Sequence, residues 1–386
     1  MKPVQSCQAL VFFILISCAT NYCTAENTKE CKQKGGGWMN RKFPIVQVFN
    51  PATNKSIATF NDSSAQHLKG DVTTVLIPYI FLVVFIIGLP SNGLALWILI
   101  TKTKQLPSTL LLINLALADL FVILFLPWRI AYHLLGNNWL FGEAFCRIST
   151  ALFYGNIHSS VLFLTCISAD RYLAIVHPFI SKEIRTNTTA YCVCGGAWLL
   201  LVLSMVPLYA TQQSYWIDNL NITVCNDGLP VSILKFYRPF FICEIVIGFM
   251  IPCAIIVFCY VSIISTLIRN DVTYGHAIMA TVLVLLVFLV CFTPFNVTLL
   301  IHIQMKSSDM YYYTMICLVV STFSNCIDPF IYYYISEEFR NKLKSLISAS
   351  RNETSSGKSD QSILQSSSRS EANPPCVRVN SSTPVV

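Results

Sequence analysis

Seven long apolar stretches, joined by short polar connections, constrain this chain more than any other feature. They run roughly from Val75 to Thr101, Ser108 to Leu134, Glu143 to Val176, Thr189 to Ala210, Tyr237 to Ile268, Tyr274 to Ile303 and Met310 to Ile335. Crossing a bilayer takes about 20 apolar residues, and each stretch suffices. Lipid offers the backbone no hydrogen bonds, and the runs are too long and continuous for tilted barrel strands, so they read as helices. The fold class is therefore an all-α membrane protein, a bundle of seven transmembrane helices. Composition agrees, with 54% hydrophobic residues, 12% charged residues and a mean hydropathy of +0.59, far from a soluble chain.

Both ends of the chain orient the bundle. Lys2 followed by the apolar run Ala9 to Ser17, with small residues Cys23 and Ala25 beyond, reads as a signal peptide over residues 1–25. That places the leader, residues 26–74, outside the cell. The basic residues Lys102, Lys104, Arg171, Lys182, Arg185, Arg269, Arg340, Lys342 and Lys344 gather at the opposite ends of the spans, as a positive-inside bias requires. The net charge of +7 is thereby explained without nucleic acid, for which no basic patch interleaved with aromatics exists. After the bundle (75–335), Ser336 to Ile347 places Phe339, Leu343, Leu346 and Ile347 at helical spacing among Lys and Arg, an amphipathic helix on the inner membrane face. The Ser-rich residues 348–386 read as a disordered cytoplasmic tail.

Of 16 cysteines, only Cys31, Cys146 and Cys225 lie on the extracellular side once the signal peptide is removed. A bridge from Cys146 to Cys225 would pin the loop between the fourth and fifth spans over the bundle, leaving Cys31 free or removed with the leader. That loop, Gln212 to Cys225, alternates apolar and polar residues around a turn signal at Asp218-Asn219, the pattern of a β-hairpin lid. Asn54, Asn61 and Asn221 head extracellular glycosylation sequons. The other cysteines show no metal-ligand spacing. With no nucleophile elbow, phosphate loop, zinc spacing or internal repeat, an enzyme or transporter is not indicated.

Prolines 90, 127, 207, 252, 294 and 329 interrupt the spans, and each permits a bend. Asp119 and Asp328 are intramembrane acids, which mark an ion or water site, and Glu244 is a third acid in the outer half of the fifth span. The leader, which shows little periodicity, carries one distinctive peptide, MNRKFPIVQVF (Met39 to Phe49). It places the basic pair Arg41 and Lys42 directly before an aromatic, a proline and an apolar run. A trypsin-like protease could cut after either basic residue.

The ordered motifs resemble those of the rhodopsin-like G protein-coupled receptors across Val75 to Ile347. They are Asn92, Leu115-Ala116-Leu117-Ala118-Asp119, Trp139 before Cys146, Asp170-Arg171-Tyr172, Trp198, Pro252 with Tyr260, Cys291-Phe292-Thr293-Pro294 and Asp328-Pro329-Phe330-Ile331-Tyr332. Phe292 and Asp328 stand where many members have tryptophan and asparagine. Within that group, Trp128 to Leu134, Phe153 to Asn156, Arg171 to Pro178 and Cys225-Asn226-Asp227 resemble the protease-activated receptors, although their loop motif usually has histidine at the place of Asn226.

The resemblance implies a tethered-agonist receptor in the plasma membrane. A trypsin-like or thrombin-like serine protease would cut after Arg41, and the new terminus Lys42-Phe43-Pro44-Ile45 would fold back into the extracellular mouth. Asp227 would take the fresh α-amino group, with Glu244 second, and Tyr311, Tyr312, Tyr313 and His302 would surround Phe43. Asp170 would hold Arg171 at rest. Tyr172, Tyr260, Phe292, Pro294, Pro329 and Tyr332 would belong to the activation switch, and Asp119, Ser160 and Asp328 would hold a sodium ion. Heterotrimeric G proteins of the q class and of the class coupled to Rho, and arrestin on the tail hydroxyls, are the implied inner partners. The competing expectation is a receptor of the same helix set for a diffusible nucleotide, lipid or peptide.

Overall fold

The computed structural model describes residues 43–50, 55–269, 275–304, 308–346 and 348. The signal peptide, Cys31, the cleavage residues Arg41 and Lys42, Asn54 and the tail hydroxyls lie outside these residues. Among the described residues, seven helices are long and apolar enough to cross a membrane: Asp62–Thr101, Pro107–Leu134, Glu143–Val176, Asn187–Ala210, Tyr237–Arg269, Ile278–His302 and Tyr312–Ile335. The third is central and packs on the second, fourth and fifth. Outward-facing Leu199, Val261, Leu289 and Phe330 stay exposed, the surface that a lipid solvent favours.

Proline shapes three of these helices in the same way. A proline clashes with the carbonyl four residues earlier and leaves it without its usual donor. Wider, π-type turns occur at Val72–Leu76, Val246–Met250 and Phe288–Phe292, just ahead of Pro78, Pro252 and Pro294, and each contains the affected carbonyl. The extra residue absorbs the lost bond without breaking the helix. Buried amides then tie helices together. Asn92 donates to the carbonyls of Gly88 (3.0 Å) and Asn325 (2.6 Å), joining the first span to the seventh. Trp198 Nε1 donates to Asn114 Oδ1 at 2.8 Å, joining the fourth to the second. The amphipathic segment is helical over 337–346, with Phe339 buried, and Glu338 accepts a 2.8 Å bond from the Lys104 amide.

The extracellular lid is a hairpin, β3 (Ser214–Ile217) paired antiparallel with β4 (Ile222–Cys225). Asn221 occupies its turn with φ +53°, a left-handed value that asparagine tolerates. The leader departs from its sequence reading. Residues Phe43–Asn50 form β1, which pairs antiparallel with β2 (Lys55–Thr59) and parallel with β5 (Gly228–Pro230) of the lid. A short leader helix, Asp62–Lys69, follows, N-capped by Asn61, whose Oδ1 accepts from the Ser64 amide at 2.9 Å. Ile45, Val46, Val48 and Phe49 are strong strand formers. Val46, Val48 and Phe49 pair with the nearby β2, and Ile45 pairs with the distant β5.

Candidate functional site

Three layers of polar residues run through the bundle, beginning at the mouth. Cys146 and Cys225 are bridged, with Cα atoms 5.8 Å apart, which fixes the end of β4 against the third span. The chain then turns through Asn226 at φ +73°, its amide donating to the Gln213 carbonyl at 2.9 Å, and presents Asp227. Asp227 is buried and accepts a 2.6 Å bond from the Tyr132 hydroxyl. Arg129 lies beside it, also buried, donating to the Cys225 carbonyl (3.4 Å) and to Thr150 Oγ1 (3.2 Å) and facing the rings of Trp139 and Phe153.

The parallel ladder sets the leader against this corner. Phe43 pairs with Gly228, Pro44 with Leu229 and Ile45 with Pro230. Hence the residue that follows Lys42 lies opposite the residue that follows Asp227. Ile45 is buried, at 3% exposure, in one cluster with Phe60 and Leu68.

Two further contacts hold the leader. At the tip of the lid, Asp218 Oδ2 accepts from the Ala58 amide (2.8 Å) while the Asp218 amide donates to the Ala58 carbonyl (2.8 Å). Asn219 repeats this at Phe60, accepting at 3.3 Å and donating at 2.9 Å. Deeper, Asn137 donates to the Leu68 carbonyl at 2.5 Å and meets His133 at 2.7 Å. Tyr312 stacks on His67 of the leader helix at 4.7 Å, Tyr313 is exposed, and His302 is buried at the outer end of the sixth span. The side chains of Phe43 and Tyr311 lie outside the described ones. Glu244, the second expected acid, pairs with His158 of the third span at 3.1 Å.

In mid-bundle, Asp119, Asp328 and Ser160 are fully buried together. Asn156 and the Tyr332 hydroxyl each donate to Asp119 at 3.4 Å. Neither Asp328 oxygen has a hydrogen-bond donor among the described residues. Two acids side by side, one with both oxygens bare, fit a bound cation or a shared proton. Just above them, Phe292 meets Phe288 edge to face at 5.5 Å.

At the cytoplasmic end, Asp170 is held from an unexpected direction. Arg185 donates to both its oxygens, at 2.6 and 3.1 Å, and Ser108 adds a 2.6 Å bond. Arg171, its expected partner, stands at 3.7 Å. The short helix Pro178–Ile184 turns the chain so that Arg185 comes back beneath the third span. Tyr172 contacts His177 at 3.0 Å, and Tyr260 is buried close to Arg171.

Sequence reasoning foresaw none of these contacts for Tyr132, Arg129, Asp218, Asn219, Ser108 or Arg185, reading Asp218-Asn219 as a turn and Arg185 as a cytoplasmic charge. Only the Asp218-Asn219 turn signal pointed toward one of these contacts.

This arrangement of seven helices, a bridged lid and a charged inner end defines a class. Residues 91–332 match the family described as 7 transmembrane receptor (rhodopsin family), and the chain belongs to it. Within that class it is 41% identical to proteinase-activated receptor 4 of Rattus norvegicus over 77% of this chain and 76% of that one. Against proteinase-activated receptor 2 of Bos taurus the identity is 40% over 74% and 75% of the two chains, and against receptor 3 of Homo sapiens 37% over 78% and 82%. The chain is a member of the proteinase-activated receptors, in the plasma membrane with its spans crossing as a multi-pass bundle.

Proposed function

We propose that a trypsin-like or thrombin-like serine protease switches this receptor on by cutting after Arg41, which frees Lys42-Phe43-Pro44-Ile45 as a tethered agonist. The observation that carries this reading is the register of β1 on β5, in which Phe43 faces Gly228, the residue next to Asp227. A cut one residue upstream of Phe43 creates an α-ammonium group in reach of a buried carboxylate. Cleavage therefore adds a charge at a place where the peptide already lies. The effective concentration of a short tether is roughly millimolar, so weak intrinsic affinity suffices. Because the leader is gripped at Ala58 and Phe60, the segment ahead of the grip is residues 42–57, shorter than the whole leader.

The signal then passes inward to heterotrimeric G proteins. Asp119, Ser160 and Asp328 would hold a sodium ion at rest, its positive charge offsetting two adjacent carboxylates. Arg171, Tyr260 and Tyr332 form the inner switch, with coupling to the q class and the class linked to Rho, and phosphorylated tail hydroxyls recruit arrestin. Residues 1–25 are removed as a signal peptide, and Asn54, Asn61 and Asn221 carry glycans.

The test is intracellular calcium in cells expressing the wild type and Arg41→Gln, each tagged ahead of Cys31, under trypsin and thrombin. Tag loss with a calcium rise in the wild type alone is expected. A full response from Arg41→Gln moves the cut, with Lys42 next to examine.

A further inference from the structure

Gly228 does not need glycine's conformational freedom, since its φ lies outside the left-handed region. What it supplies is room. A Cβ placed on Gly228 would lie 2.9 Å from Ile45 Cδ1, 2.9 Å from Phe60 Cζ and 3.1 Å from Ile45 Cγ1. Such approaches force a neighbour to move. Ile45 is β-branched and enclosed, so its rotamers are few. Phe60 is buried and fixed through its backbone by Asn219. Neither can withdraw cheaply, and a packed interior relaxes only partly.

We propose that Gly228 and Phe60 form a selectivity pocket for the side chain of Ile45, the fourth residue of the freed terminus, so that the residue at 228 sets the size accepted there. This inference rests on the reading that the agonist begins at Lys42. One wall comes from the lid and the other from the leader that the lid grips. The pocket exists before the cut, because β1 already lies in register on β5. Backbone pairing of this kind gives affinity without sequence preference, and selectivity comes from side-chain pockets along the strand. The Ile45 side chain is buried against Gly228 and Phe60.

The test compares KFPIVQ-amide with KFPAVQ-amide, each at concentrations that displace the resident strand, on full-length wild-type receptor and on Gly228→Ala, reading calcium. In the wild type the isoleucine peptide should be more potent by about tenfold, the scale on which an apolar pocket discriminates size. In Gly228→Ala it should lose about tenfold while the alanine peptide keeps its potency, so the preference disappears. Equal potency of the two peptides on the wild type, or parallel losses of both on Gly228→Ala, overturns the pocket. Silence of both peptides on a wild type that still answers trypsin refutes the underlying agonist assignment, and the pocket with it. A chain carrying Gly228→Ala together with Ile45→Ala guards against misfolding. At equal surface tag it should answer trypsin better than Gly228→Ala alone, and a failure to do so contradicts the proposal.

Discussion

Replacing Asp227 by asparagine isolates the charge that the freed terminus is said to meet. The amide keeps the shape of the carboxylate and an oxygen for the Tyr132 hydroxyl, now 2.6 Å away, so the corner should fold unchanged. What disappears is the negative charge. A hydrogen bond from an ammonium to a carboxylate contributes about 1.5–3 kcal/mol, and tenfold in affinity corresponds to about 1.4 kcal/mol. The potency of KFPIVQ-amide should therefore fall about tenfold to a hundredfold. Asp227 is 4% exposed, where salt and water screen little, which favours the upper end. Calcium mobilisation by the free peptide is the assay, with an N-acetylated peptide closing a double-mutant cycle. Acetylation should cost the wild type as much as the substitution does, and should cost Asp227→Asn nothing more. If acetylation weakens the peptide equally on both receptors, the amine binds elsewhere and the account of the corner is wrong.

Three further outcomes follow from the other layers. Arg185→Ala removes the bidentate partner of Asp170; with Arg185 a quarter exposed the discounted loss is about 1 kcal/mol. Protease-independent inositol phosphate should rise about fivefold in an Arg41→Gln background, and an unchanged basal level would show that Arg185 does not hold the resting state. Asp218→Ala with Asn219→Ala removes three of the four bonds that grip Ala58 and Phe60, leaving only the Asp218 amide on the Ala58 carbonyl. Amides of residues 55–60 should exchange faster with solvent and trypsin potency should fall while KFPIVQ-amide is unaffected; an equal fall for the free peptide would mean that the lid itself was damaged. Raising external sodium should weaken KFPIVQ-amide on the wild type, and Asp328→Asn, which takes away one of the two adjacent acids, should abolish that effect. Retained sodium sensitivity would place the ion elsewhere.

The membrane-spanning part of the molecule was legible because lipid makes simple demands. Glu143 to Val176 is bounded in the sequence as in the structure, and the hairpin around Asp218-Asn219 follows from alternation plus a turn signal. The wider turns before Pro252 and Pro294 could be foreseen as bends but not as extra residues, because proline allows several remedies, and the one before Pro78 was not foreseen. The leader was opaque for a different reason. β1 has a parallel partner at Gly228–Pro230, nearly two hundred residues away, and local pattern carries no trace of such pairing. Arg185 was read only as a cytoplasmic charge, since nothing local tells that a short helix will return it to Asp170. Tyr132 is an ordinary aromatic at a helix end until the bridge at Cys225 brings Asp227 to its hydroxyl.

The central claim is that a chain beginning at Lys42 is by itself the active form. Replacing Gly37 to Arg41 with Asp-Asp-Asp-Asp-Lys gives enteropeptidase a site whose cut leaves Lys42 as the new terminus. With a tag ahead of the site, calcium should rise as the tag is shed on adding enteropeptidase, and should stay flat without it. Complete tag loss from surface receptor with no calcium response, in cells where trypsin still activates the unaltered chain, would contradict the account.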